Sequence, residues 1–310
     1  MLHILFVIPL YCFSQYYLKR NLFVAGNFSS TLFYFKEGLK NLFLGLLFHI
    51  GGYMSGRFRE LLKKNEVLYG VICRDVSITD LELMAQIGYT VVFLDLEHSS
   101  QSTAEVLRLG RVIHHLGMVP LVRIPELSRS HVQCLLDGGI EILTLPDVKS
   151  SDQASQFVQL GKFPPKGQRG ISTSCAGTNF TLGVNPEQTL KNVNEGTSLM
   201  VMVESDEGYH ALDEILEVEG IDLLTIGEMD WSVSLGIFGD EAKRVLRPKI
   251  EEVLVKAHKK GKILAMGGSS PEQIAYYRNL GVRLFFVGVD VNLKRKILAE
   301  SLSNFRESIG

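Results

Sequence analysis

From residue 54 onward the chain alternates short apolar runs with helix-length amphipathic segments, and the alternation repeats eight times. The apolar runs fall at Leu68–Cys73, Thr90–Leu94, Val119–Val122, Ile142–Leu145, Leu199–Val203, Leu223–Ile226, Lys262–Met266 and Leu284–Val287. Between them the spacing predicts helices over Ile78–Ile87, Ser102–Leu116, Ser128–Leu136, Ser151–Leu160, Tyr209–Leu216, Asp240–Lys260 and Pro271–Leu280, with a last one beginning near Leu293. The strand runs are continuous rather than alternating, which is the pattern of parallel strands buried on both faces. Gly88, Gly117, Gly138, Gly139, Gly161, Gly220, Gly261 and Gly281 stand where helices should close. Eight strands with eight crossovers predict an α/β fold of the (β/α)₈ TIM-barrel kind. An open doubly wound sheet would carry a glycine-rich phosphate loop after its first strand. Here that strand runs into Arg74-Asp75-Val76-Ser77, and no G-x-G-x-x-G occurs.

Residues 1–53 do not share this pattern. They hold 13 of the chain's 28 aromatic residues and carry Lys19, Arg20, Lys36 and Lys40 against the single acid Glu37. Their apolar runs, Ile4–Phe13 and Leu42–Ile50, fall short of the roughly 20 residues that cross a bilayer. No basic segment precedes the first run, so a secretory signal is disfavoured. Three readings stand open: Met54 as the true start behind an over-extended gene model, a targeting segment, or a membrane-associating hairpin. The sequence therefore divides into an apolar leader, 1–53, and a barrel, 54–310.

Composition narrows the chemistry. A net charge of −2 with no basic stripe argues against nucleic acid as a partner. Cys12, Cys73, Cys134 and Cys175 form no C-x-x-C pair, which leaves reduced thiols in a cytoplasmic protein as the plain reading.

Barrel enzymes place their chemistry at the C-terminal ends of the strands. There the sequence puts Asp95, Glu97 and His98 after the second strand, Arg123 after the third, Glu204 after the fifth, and Gly227-Glu228-Met229-Asp230 after the sixth. Charged groups abutting buried runs are costly unless paired or coordinated. Glu204 and Asp230 end consecutive strands, and two hard carboxylates with room for water suit Mg²⁺, Mn²⁺ or Co²⁺. Alone, either acid would read as a surface residue or a helix cap. His98 beside carboxylates suits a general base, and Arg123 suits an oxyanion partner or a salt bridge across the barrel top.

These segments, in order, resemble the HpcH/HpaI aldolase family, grouped with citrate lyase β-type proteins. The resembling stretches are Phe93-Leu94-Asp95-Leu96-Glu97-His98, Leu121-Val122-Arg123-Ile124-Pro125, Leu135-Leu136-Asp137-Gly138-Gly139, Phe163-Pro164-Pro165-Lys166-Gly167-Gln168-Arg169-Gly170, Val203-Glu204-Ser205 and Ile226-Gly227-Glu228-Met229-Asp230-Trp231-Ser232. The resemblance runs from about Met54 to Leu298. It implies a divalent metal on Glu204 and Asp230, chelated by a 2-oxo acid whose carboxylate meets amides of Gly227, Glu228 and Met229. It implies proton transfer by His98 oriented by Asp95, and charge stabilisation by Arg123. Asp137 would reach a neighbouring subunit's site in a homo-oligomer, a hexamer or trimer with an exchanged C-terminal helix. The reaction implied is cleavage of a 4-hydroxy-2-oxo acid to pyruvate, or a related 2-oxo acid, and an aldehyde. No lysine stands at a strand end for a Schiff base; Lys262 opens strand seven at the opposite end.

Two positions depart from the family pattern. Met202 stands where a glutamine is usual, and Glu228 where a proline is usual. Glu228 turned inward would repel an anionic substrate or contribute a ligand; turned outward it would do neither. Two other readings follow: an acyl-CoA lyase of the citrate lyase β type, although no Lys/Arg cluster marks the mouth loops, and a barrel that binds a ligand without catalysis.

Overall fold

The computed structural model describes residues 56–64, 67–172, 174–180 and 185–309. The leader, and with it the three readings of residues 1–53, lies outside the described residues. Among the described residues no helix is long and apolar enough to cross a membrane.

Eight parallel strands close a barrel in sequence order. They are β1 (Leu68–Cys73), β2 (Val91–Asp95), β3 (Val119–Arg123), β4 (Ile142–Leu145), β5 (Ser198–Val203), β6 (Leu223–Ile226), β7 (Ile263–Gly267) and β8 (Val282–Val289). The helices are α1 (Arg57–Lys64), α2 (Ile78–Ile87), α3 (Thr103–His115), α4 (Arg129–Asp137), α5 (Ser151–Gly161), α6 (Pro186–Gly196), α7 (Asp206–His210), α8 (Leu212–Glu217), α9 (Glu228–Ser234), α10 (Gly239–Lys259), α11 (Pro271–Asn279) and α12 (Asp290–Ile309). All eight expected strands are present. The helix starts are set locally: Ser77 and Ser102 form capping boxes with Asp80 and Glu105, and Ser128, Ser150 and Ser270 each accept a first-turn amide.

Strand side chains alternate between two cores. Leu68, Val91, Phe93, Val119, Leu121, Ile142, Met200, Met202, Leu223, Ala265, Leu284 and Phe286 pack together inside the barrel. Their neighbours, such as Val92, Leu94, Val122, Leu143, Val201 and Val203, pack under the helices. A run that looks uniformly apolar in sequence is therefore a period-two pattern with both faces buried.

Helices α6 and α9 add to the expected set, and three further elements differ from expectation. Helix α1 lies before the first strand and drives Phe58 into the barrel interior, where it is fully buried. The buried carboxylate of Glu141, just before β4, accepts the Phe58 amide at 2.6 Å and so caps this helix. The Tyr209–Leu216 segment is two short helices, because Ser205 caps an earlier start by accepting the Gly208 amide, and Ala211 joins the pieces. Gly161 does not close its helix in a left-handed turn. It stays helical and small because a Cβ there would lie 2.9 Å from the Leu199 methyl groups.

Candidate active site

The inward alternation carries directly into the mouth. On β2 the inward series Val91, Phe93 continues to Asp95, and on β3 Val119, Leu121 continues to Arg123. On β5, Met200 and Met202 lead to Glu204 one step past the strand. Three charged side chains thus form the layer above an apolar barrel interior, and all three are buried.

Asp95 and Arg123 are direct partners across the β2–β3 register. Arg123 donates from Nε to Oδ1 at 2.9 Å and from Nη2 to Oδ2 at 2.6 Å, a two-pronged bond that fixes the guanidinium plane. Its remaining Nη1 lies 3.0 Å from Glu97 Oε2. Burial alone would lower the Arg123 pKa; the bonds to Asp95 outweigh it and hold the group firmly charged. The same contacts outweigh burial at Asp95, whose carboxyl lies below the usual carboxylate range. Arg123 thus needs no amide from position 202, and Met202 packs into the apolar interior instead.

His98 is placed by its backbone. Asp95 Oδ1 accepts the amides of Glu97 and His98 at 3.1 and 3.3 Å, a turn that lifts the imidazole into the mouth, where it is 49% exposed. The nearest carboxylate to the ring is Glu97, with Oε2 3.7 Å from Nε2, so Asp95 orients His98 through the chain rather than by a bond to the ring. Glu97 therefore touches both the cation and the imidazole. Burial raises its pKa against the opposing pull of Arg123 and His98.

Glu204 has one oxygen satisfied and one bare. Oε1 accepts the Asp147 amide at 2.7 Å; Asp147 is held in the left-handed region at φ 45° to deliver it. Oε2 is buried without a hydrogen-bond partner. Gly227 makes the room, since a Cβ there would meet Oε2 at 2.1 Å. Burial, with Asp230 and Glu97 adding like charge, pushes the Glu204 carboxyl up to about 7 despite the Asp147 amide and Arg123. Asp230 sits in the first turn of α9, exposed, rather than capping it; Gly227 occupies the cap position. A buried, underbonded carboxylate oxygen beside a second carboxylate fits a hard divalent cation, which would supply the missing contact and cancel the repulsion. Among the described residues no three His, Cys, Asp or Glu side chains gather into a ready-made cluster, so water and substrate oxygens would complete such a shell.

The remaining expected residues fall as follows. Glu228 turns to α11, where its Oε1 accepts the Tyr277 hydroxyl at 3.1 Å; burial raises its pKa and that bond opposes the rise. Met229 is exposed beside it. Asp137, at the end of α4, pairs within its own chain with the buried Arg169 at 2.7 Å. Arg169 in turn lies over the Phe163 ring of its own segment at 4.6 Å, so the Phe163–Gly170 stretch is folded on itself and tied to α4 through Asp137. Lys262 Nζ donates to the carbonyls of Val218 and Ile221 at the opposite barrel end. The salt bridge across the barrel top, with Glu97 or Asp95 as the expected partner of Arg123, forms with both acids. One group at the mouth went unassigned from sequence: Arg74 directly follows β1, where the strand-end rule already pointed.

Fold and mouth together define a barrel lyase of the class II aldolase type. The chain belongs to the HpcH/HpaI aldolase/citrate lyase family, which matches residues 77–296. It is 30% identical over 253 residues to 2-keto-3-deoxy-L-rhamnonate aldolase of Escherichia coli O17:K52:H18, covering 82% of this chain and 94% of that one. Among solved structures it resembles an HpcH/HpaI aldolase from Desulfitobacterium hafniense DCB-2, with a TM-score of 0.75, 27% identity, and 80% and 96% of the two chains covered. The citrate synthase SbnG, 24% identical with a TM-score of 0.74 over 82% and 98% of the chains, shares the fold.

Proposed function

We propose that the chain cleaves a 4-hydroxy-2-oxo acid to pyruvate, or a related 2-oxo acid, and an aldehyde, with Glu204 and Asp230 holding a divalent cation. The observation that carries this reading is the bare, buried Oε2 of Glu204, whose neighbours are Asp230 and the fixed cation Arg123. When bound, the cation supplies Lewis-acid charge to the 2-oxo group. The residues of the chain divide the rest. The first-turn amides of Glu228 and Met229 meet the substrate carboxylate; the Gly227 amide, also expected there, is taken by the Val203 carbonyl at 3.1 Å. His98 takes the proton from the 4-hydroxyl as the C3–C4 bond breaks and the bond's electrons move into the pyruvate enolate. Arg123, unable to rotate in the grip of Asp95 and Glu97, opposes the charge that grows on the C2 oxygen. Return of a proton to C3 completes pyruvate.

The family's assembly as a homo-oligomer suits α12, which leaves Ile297, Leu298, Leu302 and Phe305 exposed. A cytoplasmic location suits the free thiols Cys73, Cys134 and Cys175.

The test is pyruvate release from a 4-hydroxy-2-oxo acid with Mn²⁺ added to chelator-treated protein. Glu204→Gln and Asp230→Asn should each abolish metal-dependent turnover while thermal melting stays cooperative. Turnover unchanged in both variants removes the metal assignment.

A further inference from the structure

Helix α9 carries Asp230 to the mouth, and no side chain caps it, since Gly227 holds the cap position. Its second half is anchored. Trp231, fully buried, donates from Nε1 to Asp206 Oδ1 at 2.8 Å, and the Ser234 hydroxyl donates to the Trp231 carbonyl at 2.8 Å. The first turn has less. Of the side chains of Glu228, Met229 and Asp230, Glu228 alone is hydrogen-bonded among the described residues. Its Oε1 accepts the Tyr277 hydroxyl at 3.1 Å, and no step above uses that bond.

Tyr277 is itself fixed. It lies on α11, is 7% exposed, and packs into the outer core between strands and helices. A ring locked by packing presents its hydroxyl in one place. The partner at the other end needs such a hold. Glu228 is the first residue of α9, where a proline would set the backbone angle by its own ring. A glutamate has no such constraint, and a hydrogen bond from outside the helix takes its place. Asp230 stands two residues on in the same turn. It is exposed, and it has no hydrogen bond of its own among the described residues to restore its position if that turn shifts.

We propose that Tyr277 is a positioning residue for the cation: its hydroxyl, through Glu228, fixes the first turn of α9 and so the place of Asp230 opposite Glu204. The bond ties the helix after β6 to the helix after β7, the next strand around the barrel. The carboxylate of Glu228 is thus turned away from the cation and serves it from behind. This inference rests on the reading of Glu204 and Asp230 as metal ligands, and it adds a residue that touches neither cation nor substrate. Groups that orient a metal ligand without touching the metal commonly govern its affinity by 10- to 100-fold.

The test is calorimetric titration of Mn²⁺ into chelator-treated protein, with thermal melting recorded for every variant. Tyr277→Phe removes the hydroxyl and keeps the ring. It should weaken Mn²⁺ binding by about tenfold or more while melting stays cooperative. Glu228→Leu should lose a similar amount, and the double variant no more than either single one, because the two side chains act as one tie. Glu228→Gln, which keeps an acceptor for the hydroxyl, should retain most of the affinity. Full affinity in Tyr277→Phe, or losses that add in the double variant, overturns the proposal. So does a loss in Glu228→Gln equal to that in Glu228→Leu, which would assign the effect to the charge of Glu228. Asp230→Asn in the same titration separates this inference from the reading beneath it. Full affinity there removes the metal reading and the role of Tyr277 with it; lost affinity there, with full affinity in Tyr277→Phe, removes the tie alone.

Discussion

Gly227 lets Glu204 stand where it does: a Cβ at 227 would lie 2.1 Å from Oε2 and 2.8 Å from the Cβ of Glu204. The neighbouring strand end is shaped around a carboxylate. Because the Glu204 Cβ is itself involved, rotating the carboxylate alone does not relieve the clash.

Gly227→Ala should therefore move the acid without removing it. The expected loss in Mn²⁺ affinity is about 10- to 100-fold, the range seen when the support of a metal ligand is disturbed. Calorimetric titration of chelator-treated protein measures it. Unchanged affinity would mean that Oε2 does not hold the cation.

Glu141 makes stability depend on pH at the opposite end of the barrel. Burial pushes its carboxyl up to about 8, against the opposing pull of the amides it caps. The folded value lies above the unfolded value of 4.5, so the fold prefers the neutral acid. Its contribution is then complete below pH 4.5, declines as pH rises, and is gone above about 8. The upper limit is about 5 kcal/mol at 1.36 kcal/mol per pH unit. Glu141→Gln keeps an acceptor for the Phe58 amide and removes the titration. Melting temperatures between pH 4 and 9 should fall more steeply in the parent protein than in the variant; parallel curves would contradict a protonated Glu141.

How much of this was legible beforehand depends on the range of the signal. The strands could be read because both faces are apolar, and the bounds of β1, β4 and β6 match the expected runs. Asp95, Arg123 and Glu204 could be read because each sits where an inward series reaches the mouth. Helix α1 could not, since its role depends on Glu141, 83 positions beyond Phe58. Helix α6, which follows a long excursion after α5, is marked by Asn185 as a cap and Pro186 in its first turn, but no barrel period announces it. The direction of Glu228 depends on Tyr277, and the backbone of Arg74 on Asp290, 216 positions away. Such pairings arise only when the ring of strands closes.

Asp137 and Arg169 give a prediction that separates two roles. Arg169 is almost wholly buried, and Asp137 is its one carboxylate partner among the described residues. Asp137→Asn leaves that cation without its counter-charge and should cost about 3 kcal/mol or more. Urea unfolding followed by circular dichroism reads the loss as a lower midpoint. Full stability with turnover lost would instead assign Asp137 to a neighbouring subunit's site, as the family resemblance implies.

The last prediction concerns α12. Ile297, Leu298, Leu302 and Phe305 are each more than half exposed, and three of them recur at the four- and three-residue steps 298, 302 and 305 that form one helical stripe. Among the residues of this helix whose burial is described, Asp290 is the one that is buried, and Leu298 and Leu302 lie largely open to solvent. If a second copy covers it, a charge placed mid-stripe must be buried unpaired on assembly, which is unfavourable by several kcal/mol. Leu302→Glu should therefore shift the protein from hexamer or trimer to smaller species at micromolar concentration in sedimentation velocity. Because Asp290 begins the same helix and holds the Arg74 loop, Leu302→Glu also tests whether the mouth depends on assembly. A smaller species that still binds pyruvate would show that each barrel holds the head by itself. An unchanged sedimentation coefficient would mean that the stripe is not the contact between copies.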